Sequence, residues 1–164
     1  MAHIQIFTCG GTIDKNYSSA LDGYNFVIDD SSIAAILSQM NLALTFETKA
    51  LLKKDSLDMT DSDRELIHTE CEKCSAEKIL ITHGTDTMIQ TAALLAKIPN
   101  KTIVLTGSMR PLAFAETDAI FNLGTALGAL SQCGPGVWIA FSGKIYPWNQ
   151  CQKNRQTEKF EPLV

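Results

Sequence analysis

Two short stretches put hydroxyls and charges where apolar runs leave the core. In "TCGGTID" (8–14), Thr12 follows Gly10 and Gly11. In "KILITHGTDTM" (78–88), an apolar run gives way to His83, Gly84, Thr85, Asp86 and Thr87. A threonine hydroxyl is a weak nucleophile until a neighbouring base takes its proton. No Ser-His-Asp arrangement suggests itself. The base must then be a lysine desolvated in a cleft, and spacing alone does not say which. Each residue also has a structural reading. Thr12 can be a turn threonine bonded to its own backbone. Thr85 can cap a helix, with Asp86 in the first turn against the positive end of the dipole. Capping leaves His83, Gly84 and Thr87 unexplained. The double glycine is not G-x-G-x-x-G and no helix pattern follows it, which argues against dinucleotide binding. His68, Cys71 and Cys74 are metal-ligand types. Without a second C-x2-C they read as incidental residues of a helix, so no metal site is expected.

The elements that must position these groups follow from pattern. "HIQIFT" is β-rich and ends at Gly10 and Gly11. "DKNYSSALDGYN", with Tyr17 and Tyr24, reads as a loop or mobile hairpin. "DDSSIAAILSQM" starts a helix, and "LALTFETKALL" alternates like a strand. Thr60 with Asp63 forms a capping-box pattern opening a helix to about Cys74. "KILIT" is a strand. "DTMIQTAALLAKI" is a helix stopped by Pro99. "KTIVLTG", "TDAIFNLGTALGALSQC" and "GVWIAFSG" continue as strand, helix and strand, with Trp138 and Phe141 assigned to the core. The polar tail from Trp148 onward declares no structure.

Alternating strands and helices with continuous apolar strands predict an α/β three-layer sandwich, a mostly parallel sheet flanked by helices. In such sheets ligands bind beyond the carboxyl ends of the strands. Thr12 follows the first strand, Ser56 the second, and Thr85 with Asp86 the third. All three are expected at one edge.

The 164 residues fit a single domain, 1–164. Net charge is −4 without a basic block, so neither nucleic acid nor an acidic membrane surface is expected as partner. No apolar run is long enough to span a bilayer. "MAHIQIFTCGG" has no basic leader and runs straight into a strand. Five cysteines, an odd number, read as reduced thiols in the cytoplasm.

"TCGGTI" and "ITHGTDTM" resemble, in order and spacing, the two signature motifs of bacterial-type L-asparaginases. "IVLTGSMRP" resembles that family's strand and Met-Arg-Pro turn, and "TDAIFNL" its next helix. The resemblance runs from the first strand to about Lys153. It implies hydrolysis of the asparagine side-chain amide, or of a related small amide, to aspartate and ammonia, with no metal or organic cofactor. Carried over by position, Thr12 is the attacking hydroxyl, Tyr24 the assisting loop tyrosine, Thr85 the second threonine and Asp86 its aspartate. Aligning "VWIAF" with the family's strand puts its lysine on Lys153. Gly11, Ser56, Leu57, Gly84, Thr85 and Asp86 line the substrate, Ser56 holding its α-carboxylate.

Two departures from the family bear on the substrate. The family's C-terminal domain, which completes the site from a neighbouring subunit, is absent from 1–164. Leu57 stands where a glutamine usually meets the α-ammonium, which leaves that charge short of a partner. A homodimer or higher homo-oligomer is expected. The alternative reading is a non-catalytic small-ligand-binding or regulatory module that retains the site, or a half that works only with a separate partner chain. The presence of Lys153 favours the enzyme, because a binding module has no need of it.

Overall fold

Four apolar runs are buried on both sides, and their alternate residues feed two different cores. Ile4 and Ile6, Leu80, Val104 and Ala140 face one; Phe7 and Cys9, Ile79 and Ile81, Ile103 and Leu105, Ile139 and Phe141 face the other. This period-2 division is what a sheet covered on both faces requires. The computed structural model describes residues 3–19, 21 and 23–163. Met1 and Ala2 of the N-terminus, Ala20 and Asp22 of the early loop, and Val164 lie outside the described residues.

The main sheet contains β1 (His3–Gly10), β4 (Thr45–Lys54), β5 (Lys78–Thr82), β6 (Thr102–Thr106), β7 (Gly136–Phe141) and β8 (Lys144–Pro147), in the spatial order β4-β1-β5-β6-β7-β8. The first five are parallel and β8 is antiparallel to β7. Helices α2 (Asp61–Lys73) and α3 (Met88–Leu95) cover one face. Helices α1 (Ile33–Gln39) and α4 (Ala119–Gln132) cover the other. This is the expected three-layer sandwich. Taken in chain order, the parallel strands lie 2-1-3-4-5. The order reverses between β1 and β5, which opens a crevice at their carboxyl ends.

Local signals explain the boundaries. Thr60 and Asp63 form a reciprocal capping box at the start of α2, whose cap at the other end is Cys74. A hydrogen bond from Lys54, followed by those from Thr60, holds the Asp63 carboxyl down at about 2. Cys71 is a core residue, its thiol pushed up to about 12 chiefly by burial. The early loop is a hairpin of β2 (Lys15–Tyr17) and β3 (Phe26–Ile28). Lys15 pairs with Asp55 at 3.3 Å, and the Tyr17 and Phe26 rings lie against Phe114.

Two features differ from the sequence reading. Strand β8 continues past "GVWIAFSG" because Ser142 (φ 51°) and Gly143 (φ 78°) make a two-residue turn with both φ positive, the geometry that folds a strand back on its neighbour. The tail from Trp148 is structured: β9 (Cys151–Asn154) and β10 (Lys159–Pro162) form an antiparallel hairpin. Its polar sequence hides it, because only Cys151 and Phe160 are buried. Phe160 packs on Phe141 at 5.2 Å between ring centroids. Burying such a ring stabilises by about 1.5–3 kcal/mol, enough to dock a short hairpin. Trp138 is half-buried, whereas Phe141 is fully in the core.

Candidate active site

Three loops meet at the carboxyl ends of β4, β1 and β5, packed backbone to backbone. Gly11 has φ 83°, and a β-carbon there would lie 2.5 Å from the Gly84 nitrogen. A β-carbon on Gly84 would in turn lie 2.7 Å from the Ser56 side chain. Only glycine permits this approach, and only glycine readily adopts the Gly11 conformation. The N–H of Gly11 donates to the Lys54 carbonyl at 2.9 Å, tying the first loop to the end of β4. The stacking of the two glycines brings Thr12 to the same cleft as Thr85 and Asp86.

Helix α3 begins at Met88, and its N-cap is Thr87. Thr85 and Asp86 therefore do not cap it, and the structural reading of that pair fails. They are left outside the helix, at the crevice. Thr87 instead locks the neighbouring loop: its hydroxyl donates to the Ser56 carbonyl at 2.7 Å, and its N–H to Ser56 Oγ at 3.4 Å. The His83 ring is wholly buried. It contacts the Gly84 carbonyl through Nδ1 at 2.7 Å and the Thr91 hydroxyl through Nε2 at 2.8 Å. A carbonyl only accepts, so Nδ1 carries the proton and Nε2 accepts from Thr91. Burial pushes the His83 pKa down to about 4. The neutral ring thus braces the turn that presents Thr85.

The reactive contact joins residues 68 positions apart in the chain. Lys153 Nζ lies 2.7 Å from Thr85 Oγ1 and 2.7 Å from Asp86 Oδ1. The lysine side chain is 12% exposed and that of Asp86 32%. Thr85 Oγ1 also lies 4.0 Å from Met109 Sδ. No group among the described residues takes the N–H of Thr85 or Asp86, so two backbone donors stay open beside the hydroxyl.

These groups open on a cleft of about 290 Å³ lined by Thr12, Leu57, Thr85, Asp86, Met109, Lys153, Arg155 and Glu158. This is near the lower end of ligand-pocket volumes, about 300 Å³, and suits a small molecule. Leu57 is 63% exposed and faces the cleft rather than packing beneath a loop. Gly11 and Gly84 are buried against one another and are not among the lining residues. Ser56 is 1% exposed and lies behind the lining. Tyr24 sits in the loop of the β2–β3 hairpin with φ 55°, exposed, and is not among the lining residues. Sequence reasoning misses Met109, Arg155 and Glu158. For Met109 the Met-Arg-Pro turn after β6 is the available signal. For the other two there is only their closeness to Lys153 in sequence. Among the described residues no group of three His, Cys, Asp or Glu side chains forms a metal site, and no helix is long and apolar enough to cross a membrane.

Comparison with known proteins gives one family. The sequence model described as Asparaginase, N-terminal, matches residues 3–161. The chain is 30% identical over 158 residues to the probable periplasmic L-asparaginase of Haemophilus influenzae, covering 88% of this chain and 44% of that protein. Its fold is similar to the thermostable L-asparaginase from Thermococcus kodakarensis, with TM-score 0.85 and 26% identity, covering 98% of this chain and 51% of that one. A probable cytoplasmic L-asparaginase from Campylobacter jejuni gives TM-score 0.83 and 26% identity, covering 99% and 53%. The chain spans about half the length of these relatives.

Proposed function

Because the chain belongs to the asparaginase family, matching its N-terminal model over nearly its whole length, we propose that it hydrolyses the side-chain amide of L-asparagine, or of a related small amide, to a carboxylate and ammonia. The observation that carries this reading is the contact of Lys153 with both Thr85 and Asp86, opposite Thr12. A binding module has no use for a lysine held against a hydroxyl.

The Thr12 oxygen attacks the amide carbon and forms a C–O bond. Its proton passes through Thr85 to Lys153 in the neutral form, with Asp86 orienting the ammonium that results. In this reading backbone N–H groups near the strand ends, those of Thr85 and Asp86 among them, stabilise the oxyanion. The C–N bond breaks as the proton moves from Lys153 to the leaving nitrogen, and ammonia departs. Water then hydrolyses the acyl ester, and the Thr12 hydroxyl is restored. A second reading has support in one observation: Thr85 is the threonine that touches the lysine, so Thr85, or a water it activates, attacks instead. Tyr24 assists in either reading only if the β2–β3 hairpin brings it to the cleft.

Ammonia release from asparagine, glutamine and simple amides tests the proposal directly. No release from any of them by folded protein would refute it in favour of the non-catalytic module. The reading includes self-association, supported by exposed Ile120 and Phe121 on α4. A monomer in sedimentation at high concentration would count against that. It also includes a cytoplasmic setting, supported by five free cysteines and by the Campylobacter jejuni relative's name.

A further inference from the structure

The turn that follows β6 is held by side chains at the start of α4. Asp118 Oδ1 accepts from the N–H of Met109 at 3.2 Å and of Arg110 at 2.9 Å. Its Oδ2 accepts from the Met109 N–H at 3.0 Å and from the Asn122 amide at 3.0 Å. Asn122 is buried. Its amide also donates to the Gly107 carbonyl at 3.0 Å, and its Oδ1 accepts from the Ser142 N–H at 2.9 Å. Asp118 stands at the N-cap of α4 yet its side chain makes no capping bond. An aspartate there ordinarily stabilises its helix by about 1 kcal/mol. Here the Ala119 N–H goes to the Thr117 hydroxyl instead, and the carboxylate is turned to the loop.

Met109 is what that loop presents to the cleft. Lys153 Nζ donates to Thr85 Oγ1, and the Thr85 hydroxyl in turn faces Met109 Sδ at 4.0 Å. A thioether is a weak acceptor. It fills the place beside the hydroxyl without holding its proton, which stays free to move. Water in that place would accept the proton more strongly. Water is at hand, because Met109 lines both the cleft and a second open chamber of about 470 Å³ bordered by Arg110, Asp118 and Ser142.

We infer that Asp118, steadied by Asn122, is a positioning residue for the reaction: it fixes the Met109 backbone so that sulfur rather than water meets the Thr85 hydroxyl. The inference rests on the amidohydrolase reading and adds to it a residue outside the cleft lining. The donors require a carboxylate. An asparagine would turn its NH2 either on the N–H groups of Met109 and Arg110 or on those of Met109 and Asn122, so donor meets donor in both orientations.

The test is a double-mutant cycle on asparagine with Asp118→Asn, Met109→Ala and the pair, each corrected for its folded fraction by urea titration. Each single change should lower kcat about ten- to a hundred-fold, the effect of a misplacement of about 1 Å, and leave KM within about two-fold. The pair should lie within about two-fold of Met109→Ala alone, since the clamp then has nothing to hold. Effects that multiply, or an unchanged kcat in either single variant, would overturn the assignment while ammonia release by wild type keeps the amidohydrolase reading. Should Asp118→Asn not fold, Asp118→Ala takes its place in the cycle. Position 118 is half-buried at the open chamber, so water can satisfy the freed N–H groups. If wild type releases no ammonia, that reading fails, and NMR of protein carrying methyl-labelled methionine decides this one. The Met109 resonance, identified by its loss in Met109→Ala, should shift when Thr85→Ala is introduced into wild type and stay in place when it is introduced into Asp118→Asn. A resonance that responds in both backgrounds, or in neither, would overturn the clamp.

Discussion

The backbone of Gly11 rests on the backbone of Gly84, so that a β-carbon on Gly11 would sit 2.5 Å from the Gly84 nitrogen. The two signature loops meet at this point. Gly11→Ala must both strain a positive φ and push the loops apart, because the obstacle is backbone and cannot rotate away. The expected loss is about 2 kcal/mol or more of stability, together with a fall in turnover as Thr12 separates from Thr85. Urea unfolding and ammonia release measure both. A variant as stable and active as wild type would show that the loops adjust freely.

Lys153→Met should lower kcat by about 10²–10⁴, the value of a positioned acid–base group, with a smaller change in KM. Thr12→Ala should fold normally and lose nearly all turnover. Rapid acid quench followed by mass spectrometry locates the acyl ester, expected on the peptide containing Thr12. Finding it on the peptide containing Thr85 would establish the second reading, and a tenth of wild-type turnover surviving in Thr12→Ala would exclude the first.

Two buried groups give the stability an unusual pH profile. His83 titrates at about 4, below its ordinary 6.5, because burial disfavours its charged form. Its contribution is complete above pH 6.5 and is lost as pH falls toward 4. Asp14 titrates at about 6, above its ordinary 3.8; burial raises it, against hydrogen bonds from Ser31 and the Gly10 N–H and the attraction of Lys53. Its charge penalises the fold above pH 6, and that penalty disappears as pH falls toward 3.8. Each effect is about 3 kcal/mol and they oppose one another. From these two groups, stability should be nearly flat between about pH 6 and 4. Asp14→Asn should be more stable than wild type at pH 7 by about 1–3 kcal/mol, and should weaken steadily on acidification. Denaturant titrations at three pH values decide it; parallel profiles for the two proteins would be the wrong outcome.

Leu57 is exposed at the cleft, so an amide placed there can reach a bound ligand. Leu57→Gln should lower KM for asparagine by roughly ten-fold, one hydrogen bond to an ammonium, and leave succinamic acid nearly unchanged. Equal improvement for both substrates would show that the introduced amide acts on something other than the ammonium.

The sheet was legible because the parallel strands β1, β5, β6 and β7 alternate between two cores, and runs such as "KILIT" and "TIVLT" show that burial directly. The union of Thr12 and Thr85 was legible from strand order and the carboxyl-end rule. Lys153 is reached through resemblance alone: its strand is polar, since it lines a cleft and its hairpin has only Cys151 and Phe160 to bury. The start of α3 is easily misread because Thr85 and Asp86 satisfy capping preferences while serving the cleft. Glu158 could not be read at all. Its place at the cleft depends on a turn geometry set by Asn154, Thr157 and Glu161, and no local pattern encodes that.

The docking of the β9–β10 hairpin through Phe160 has a consequence for how activity fails. All five parallel strands end by Phe141, and the segment that carries the lysine adds only Cys151 and Phe160 to one of the two cores. During synthesis the base arrives after the scaffold. Detachment of the 151–162 hairpin is expected to take Lys153 from Thr85 while the sheet stays folded, a local opening distinct from global unfolding. Turnover should therefore disappear at lower urea than the helical signal does. Amide exchange across 151–162 should report the same event, faster than in β5 or β6, which makes catalytic lifetime a property of one short hairpin.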